Sequence, residues 1–155
     1  MKQLTDITTP FDDIAVTQTL PGQELDWLQQ LRQQARAQFQ RQGLPSKKVE
    51  DWKYTSLWAL SQEAFTHEAA ASQLDEMRCS QVALLETAYR LVIVDGQFSA
   101  ELSHLDGLEA GLTVEPLSQA FSKTKSVLGQ QVSLEKAGLN ALNTMLMTEG
   151  AYIQV

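Results

Sequence analysis

The stretch "GLPSKKVEDWKYTSLW", Gly43 to Trp58, packs a Gly/Pro breaker pair, three lysines, two acids, two tryptophans and a tyrosine into sixteen residues. Such density of large aromatics and opposite charges marks either a binding site or a packed junction. Read physically, a helix stops at Gly43, Pro45 turns the chain, and Ser46 caps the turn that follows. Val49, Trp52 and Tyr54 or Leu57 then point inward, while Lys47, Lys48, Glu50, Asp51 and Lys53 face water or pair with one another. Trp and Tyr combine a large apolar area with one hydrogen-bonding tip, which suits them to clamp a helix onto a sheet. Base stacking is the rival use of an aromatic–basic segment. Glu50 and Asp51 inside it, and the acidic chain around it, weigh against that use. The expectation is a structural clamp, in which truncating a core Trp52 to Ala costs about 3–5 kcal/mol.

Upstream of this stretch, Leu25, Leu28, Leu31, Ala35 and Phe39 recur at intervals of three and four, with Gln, Arg and Glu filling most other positions. That spacing predicts an amphipathic helix with one narrow apolar face, ended by Gly43 and Pro45. Residues 1–21 read as a polar leader with Pro10 and Pro21 as breakers. Downstream, residues 61–88 are ambiguous: an Ala-rich polar loop with a short helix, then a possible strand at Gln81–Leu85. "AYRLVIVDGQFSAEL" is clearer, because Asp95-Gly96 tolerates the positive φ angles of a type I′ turn between two strands. Leu112–Glu115 reads as another strand, and Pro116 suits the first turn of a helix through Leu117 and Phe121. Near the end, Leu139, Leu142 and Leu146 share a helical face with Met145 nearby, Gly150 stops that helix, and Ala151–Val155 begins a strand. No downstream sequence supplies that strand with a partner, so a fragment boundary at Val155 is expected. The fold class that follows is α+β: a long amphipathic helix, short helices and a small hairpin or sheet. The chain divides into a leader (1–21), a helical region (22–88) and a hairpin-containing region (89–155), making one domain.

Composition limits the function. With 155 residues, 43% hydrophobic and 20% charged, the chain is long enough to bury a real core. Its net charge of −7 opposes counterion release from nucleic-acid phosphates. No apolar run is long enough to span a bilayer and no secretory pattern opens the chain, so neither nucleic acid nor membrane is expected as a partner and the cytoplasm is the default location. One cysteine, Cys79, and two histidines, His67 and His104, cannot supply a four-ligand Cys/His site. There is no GxGxxG, GxxxxGK[ST] or GxSxG, and no two glycines are separated by a single residue. Ser103 and His104 are adjacent, which is not how nucleophile–base pairs are built. A basic neighbour such as Arg78 can lower a thiol pKa, but a lone cysteine such as Cys79 reads as a small packing residue or an incidental surface one.

At this point "GLPSKKVEDWKYTSL" resembles a signature of the SufD family, Gly-Leu-Pro-x-Lys/Arg-x-x-Glu-x-Trp-Lys/Arg-Tyr-Thr-x-Leu, matched here by Gly43, Pro45, Glu50, Trp52, Lys53, Tyr54 and Thr55. "YRLVIVDGQFSAELS" (89–103) and "ALNTMLMTEGAYIQV" (141–155) resemble two further segments of that family, in the same order. The resemblance covers the family's N-terminal part. It implies a non-catalytic region of a scaffold subunit in iron–sulfur cluster assembly, with SufB and SufC as partners of the full-length protein. It also implies that Ala151–Val155 opens the first strand of a parallel β-helix. The matched residues are structural in this reading. No catalytic, cofactor-binding or metal residue carries over, and Cys79, His67 and His104 fall in no matched motif. The cluster belongs to the whole complex and no cofactor is expected in this region, which by itself is expected as a monomer or weak dimer. The alternative is a freestanding protein–protein adaptor gripping its partner with the 22–42 helix or the 52–58 aromatics. A small hydrolase or metal enzyme lacks any supporting constellation.

Overall fold

A computed structural model describes residues 11, 19–63, 65, 74–83, 85, 89–135 and 138–155. Most of the polar leader and of the Ala-rich segment, His67 included, lies outside the described residues. In chain order the elements are α1 (Asp26–Gln42), a 3-10 turn (Glu50–Trp52), α2 (Trp58–Gln62), α3 (Glu76–Val82), β1 (Ile93–Val94), β2 (Gln97–Phe98), β3 (Thr113–Pro116), α4 (Leu117–Ala120), a second 3-10 turn (Phe121–Lys123), α5 (Gly138–Met145) and β4 (Ala151–Gln154). Helices and small antiparallel sheets make the α+β class expected from the pattern. The chain forms two units, one drawn from residues 1–67 and 124–147, the other from 68–123 and 148–155.

In the first unit α1 buries Leu28, Arg32, Ala35 and Phe39, a stripe at helical spacing. Asp26 in the first turn and Arg41 in the last complement the helix dipole. Phe39, Ala35, Ala141, Met145 and Phe11 form the core, with Leu44, Leu60, Leu134, Leu142 and Leu146 packed against it. Phe11 meets Phe39 edge-on at 6.1 Å between ring centroids and stacks on Phe65 at 5.1 Å. Gly43 ends α1 with φ 63° and ψ −166°, a conformation close to glycine-only, and its N–H donates to Phe39 O at 2.7 Å. The stop expected at Gly43 is therefore real.

Helix α5 lies where expected but turns a different face inward. Gly138, Ala141, Thr144 and Met145 are buried, and Leu139 and Leu142 are half-buried. The cause is close approach to α1: a Cβ on Gly138 would sit 2.0 Å from Gly43 O, so small residues must occupy that contact. Buried Thr144 satisfies its hydroxyl by donating to Asn140 O at 2.8 Å.

In the second unit Asp95 (φ 48°) and Gly96 (φ 80°) make the expected hairpin turn, pairing Val94 with Gln97 and Ile93 with Phe98. The hairpin is shorter than its sequence suggests. Beyond Phe98, Ser99 N–H still donates to Val92 O, and the hydroxyl of Ser103 accepts from Val92 N–H and donates to Ser99 O. Among the described residues of Gln81–Leu85 there is no strand. Gln81 and Val82 complete α3, whose N-terminus is capped by the Asp75 carboxylate accepting from Arg78 N–H at 2.8 Å. A local cap outweighs weak strand propensity there. Cys79 on α3 is buried, as a packing residue would be.

Strand β4 does have a partner, and it comes from upstream: Thr113–Pro116 pairs with Ala151–Gln154, antiparallel, from Thr113↔Gln154 to Pro116↔Ala151. Gly150 does not stop α5, which ends at Met145. Gly150 instead enters the ladder, its carbonyl accepting from Leu117 N–H at 2.9 Å, and a Cβ there would lie 3.3 Å from the Leu117 side chain.

Candidate functional site

The loop of residues 45–59 is fastened at its two ends, where Leu44 and Leu60 pack on the first unit's core. Between them a run of turns fixes the backbone. Val49 N–H donates to Ser46 O (3.0 Å), Trp52 N–H to Val49 O (2.9 Å) and Thr55 N–H to Trp52 O (3.0 Å). The Ser46 hydroxyl accepts from Lys48 N–H, which fulfils the capping role expected of it, and the Ser56 hydroxyl accepts from Trp58 N–H. The Ser61 hydroxyl returns to Trp58 O at 2.6 Å.

The side chains do not follow the expected clamp. Residues 46–59 include none that is buried, and only Trp52 and Leu57 are half-covered. Tyr54 is 90% exposed, Trp58 71% and Val49 45%. The reason is geometric: a tight 3-10 turn at Glu50–Trp52 cannot turn every large side chain to one face, and the apolar leucines at its ends already cover the core. Lys53 pairs with Glu50 at 2.5 Å and holds its ammonium 5.0 Å from the centre of the Tyr54 ring. Gly43 and Pro45 shape the loop's entry and Thr55 is exposed.

A second constellation lies in the other unit. One terminal nitrogen of Arg90 donates to both Glu76 oxygens at 2.6 Å, and His104 Nε2 stands 3.7 Å from Glu76 Oε2. Arg90 and His104 are also joined through their backbones by an isolated bridge. The Arg90 hydrogen bond, helped by Ser80 and by the Arg90 and His104 charges, holds the Glu76 carboxyl below the usual carboxylate range. This cluster ties α3 to the Arg90–His104 bridge that flanks the hairpin. The Ser80 hydroxyl donates to Glu76 Oε1 at 3.0 Å, and Ser103 is occupied with backbone.

The first unit also has a cleft of about 180 Å³ lined by Gln29, Arg32, Gln33 and Arg36 of α1 with Leu20 and Met145. Arg32 closes its base, donating to Pro21 O (2.9 Å) and Met147 O (2.6 Å), and burial lowers its pKa from the ordinary arginine value. Periodicity alone could not reveal a buried arginine in the apolar stripe, since the flanking Leu28 and Ala35 satisfy the pattern without it. Among the described residues no group of three or more His, Cys, Asp or Glu could hold a metal ion. No helix among them is long and apolar enough to cross a membrane.

Comparison with known proteins bears on these features. The family model of the SufBD protein N-terminal region matches residues 11–155. The iron–sulfur cluster assembly protein SufD of Escherichia coli (strain K12) is 38% identical over 71 residues, covering 46% of this chain and 16% of that protein. The aligned part thus spans under a fifth of that relative's length.

Proposed function

This chain belongs to the SufBD N-terminal-region family, and from that premise we propose that it serves as the non-catalytic N-terminal region of a SufD-like scaffold subunit in iron–sulfur cluster assembly. The match over residues 11–155 carries this reading. The similarity to SufD, and the three segments that resemble that family in order, support the SufD-like side of it. The region works in the cytoplasm beside SufB-like and SufC-like partners and holds no resident cofactor, the cluster being cargo of the assembled complex. Gly43, Pro45, Glu50, Trp52, Lys53, Tyr54 and Thr55 shape and present its signature loop and perform no reaction. The test is affinity purification of the tagged natural gene product from its own host. Recovery of a SufB-like protein and a SufC-like ATPase is expected. Recovery of neither, under iron limitation or oxidative stress, would overturn the scaffold reading.

The exposed aromatics at Tyr54 and Trp58 favour a second reading, a freestanding adaptor. It predicts retrieval of a protein unrelated to cluster assembly in the same experiment.

A further inference from the structure

Large aromatic side chains are rarely left in water on an ordered backbone without a use, because water contact forgoes their burial and ordering the chain has an entropic cost. The 45–59 loop does this with Tyr54 and Trp58. Its ends are pinned by Leu44 and Leu60 and its turns are closed by backbone hydrogen bonds, so the rings stand on a prearranged support. Prearranged Trp and Tyr side chains are what protein interfaces use as anchors. Compact surface loops of this length, packed at their ends, are frequently functional.

The charges around the rings decide what kind of partner fits. The whole chain carries −7, yet residues 43–58 hold three lysines against two acids. Glu50 is engaged with Lys53, whose ammonium borders the Tyr54 ring. Lys47 and Lys48 are exposed and enter none of the ion pairs among the described residues. The loop is thus a cationic, aromatic island on an acidic protein. We infer that residues 47–58 dock an acidic segment of a protein partner, its carboxylates meeting Lys47 and Lys48 and its apolar side chains lying against Tyr54 and Trp58. A nucleic acid strand, which also stacks on aromatics, fits less well. It carries a charge at every nucleotide, so a chain of net charge −7 repels it more than a short segment whose carboxylates alternate with apolar side chains. This inference rests on the loop's exposure and charge and goes beyond the scaffold reading, which names no contact surface.

The intact chain is titrated against a fluorescein-labelled peptide of Glu-Glu-Leu-Phe repeats, with a Lys-Lys-Leu-Phe peptide and labelled oligothymidylate as competitors in class, reading anisotropy. The acidic peptide is expected to bind and to weaken with added salt. The pair Lys47→Glu/Lys48→Glu and the pair Tyr54→Ala/Trp58→Ala are each expected to weaken it by about tenfold or more. Lys47→Arg/Lys48→Arg is expected to retain it. All three sets replace exposed side chains, so circular dichroism should be unchanged. No binding of the acidic peptide, affinity unmoved by either disabling pair, or tighter binding of the basic peptide or of oligothymidylate overturns the inference. Because the readout is peptide affinity and not recovery of assembly proteins, its failure is separate from failure of the scaffold reading.

Discussion

Trp52 and Tyr54 stand two residues apart in one motif and have opposite relations to water. Trp52 is half-covered and Tyr54 is 90% exposed. Replacing Trp52 with Ala is therefore expected to cost roughly 1–2 kcal/mol, short of the full core penalty. Tyr54→Ala should stay within about 0.5 kcal/mol of the parent. Urea unfolding of the two variants checks the contrast, and a larger loss at Tyr54 would contradict the exposure seen here. Gly138 gives a sharper sign test. In an ordinary helix Gly→Ala stabilises by about 1 kcal/mol. At Gly138 the new Cβ would lie 2.0 Å from Gly43 O, a backbone atom that cannot move without shifting the end of α1. Gly138→Ala should instead destabilise by roughly 1–3 kcal/mol, visible as a lower Tm. Tolerance of alanine would mean that the two backbones do not meet. Neither property was legible beforehand, because the same residue types occur on surfaces and at junctions.

At the scale of elements, two carboxylates hold helices in place by different means. Glu149 accepts from Ser118 N–H (2.9 Å), from the Ser118 hydroxyl (2.7 Å) and from Gly150 N–H (3.1 Å). It thus satisfies an orphan amide at the start of α4, beside the β3–β4 ladder. Glu149→Ala should cost about 2–3 kcal/mol and speed amide exchange at Ser118, as expected for lost charge-assisted bonds. Glu76 ties α3 to the residues around the hairpin through Arg90. Its carboxyl titrates below the ordinary value in the folded state. The unfolded chain then binds the proton more readily, so this tie is fully present above the ordinary carboxylate range and is lost as pH falls through the lowered folded value. A carbon-detected NMR titration should show the low midpoint, and Arg90→Gln should raise it. A midpoint that Arg90→Gln leaves in place would remove Arg90 as the cause. The element pattern itself was partly readable. The hairpin turn at Asp95-Gly96 and the end of α1 at Gly43 depend on backbone angles that few residues allow. The strand expected at Gln81–Leu85 gives way to helix at Gln81 and Val82, because the Asp75 side chain caps a helix that runs through them.

For the whole molecule, a charge of −7 sets the electrostatics at a distance. Duplex DNA should show no mobility shift with this chain at physiological salt, and a salt-sensitive shift would mean that the loop lysines outweigh the surrounding acids. What the sequence by itself determined was local or summed: the periodicity of α1 and its end at Gly43, the tight turn, the α+β class, the acidic balance and the ordered motifs of the SufBD N-terminal family. Those follow from angles and periodicities within a few residues, or from counting. Tertiary structure alone decided which face of α5 is small, that Arg32 lies inside the stripe of α1, that Ala151–Gln154 pairs back onto Thr113–Pro116, and that Tyr54 and Trp58 look outward. Each of these depends on which distant segment arrives at a given surface, and no residue encodes its distant neighbour in its own propensity.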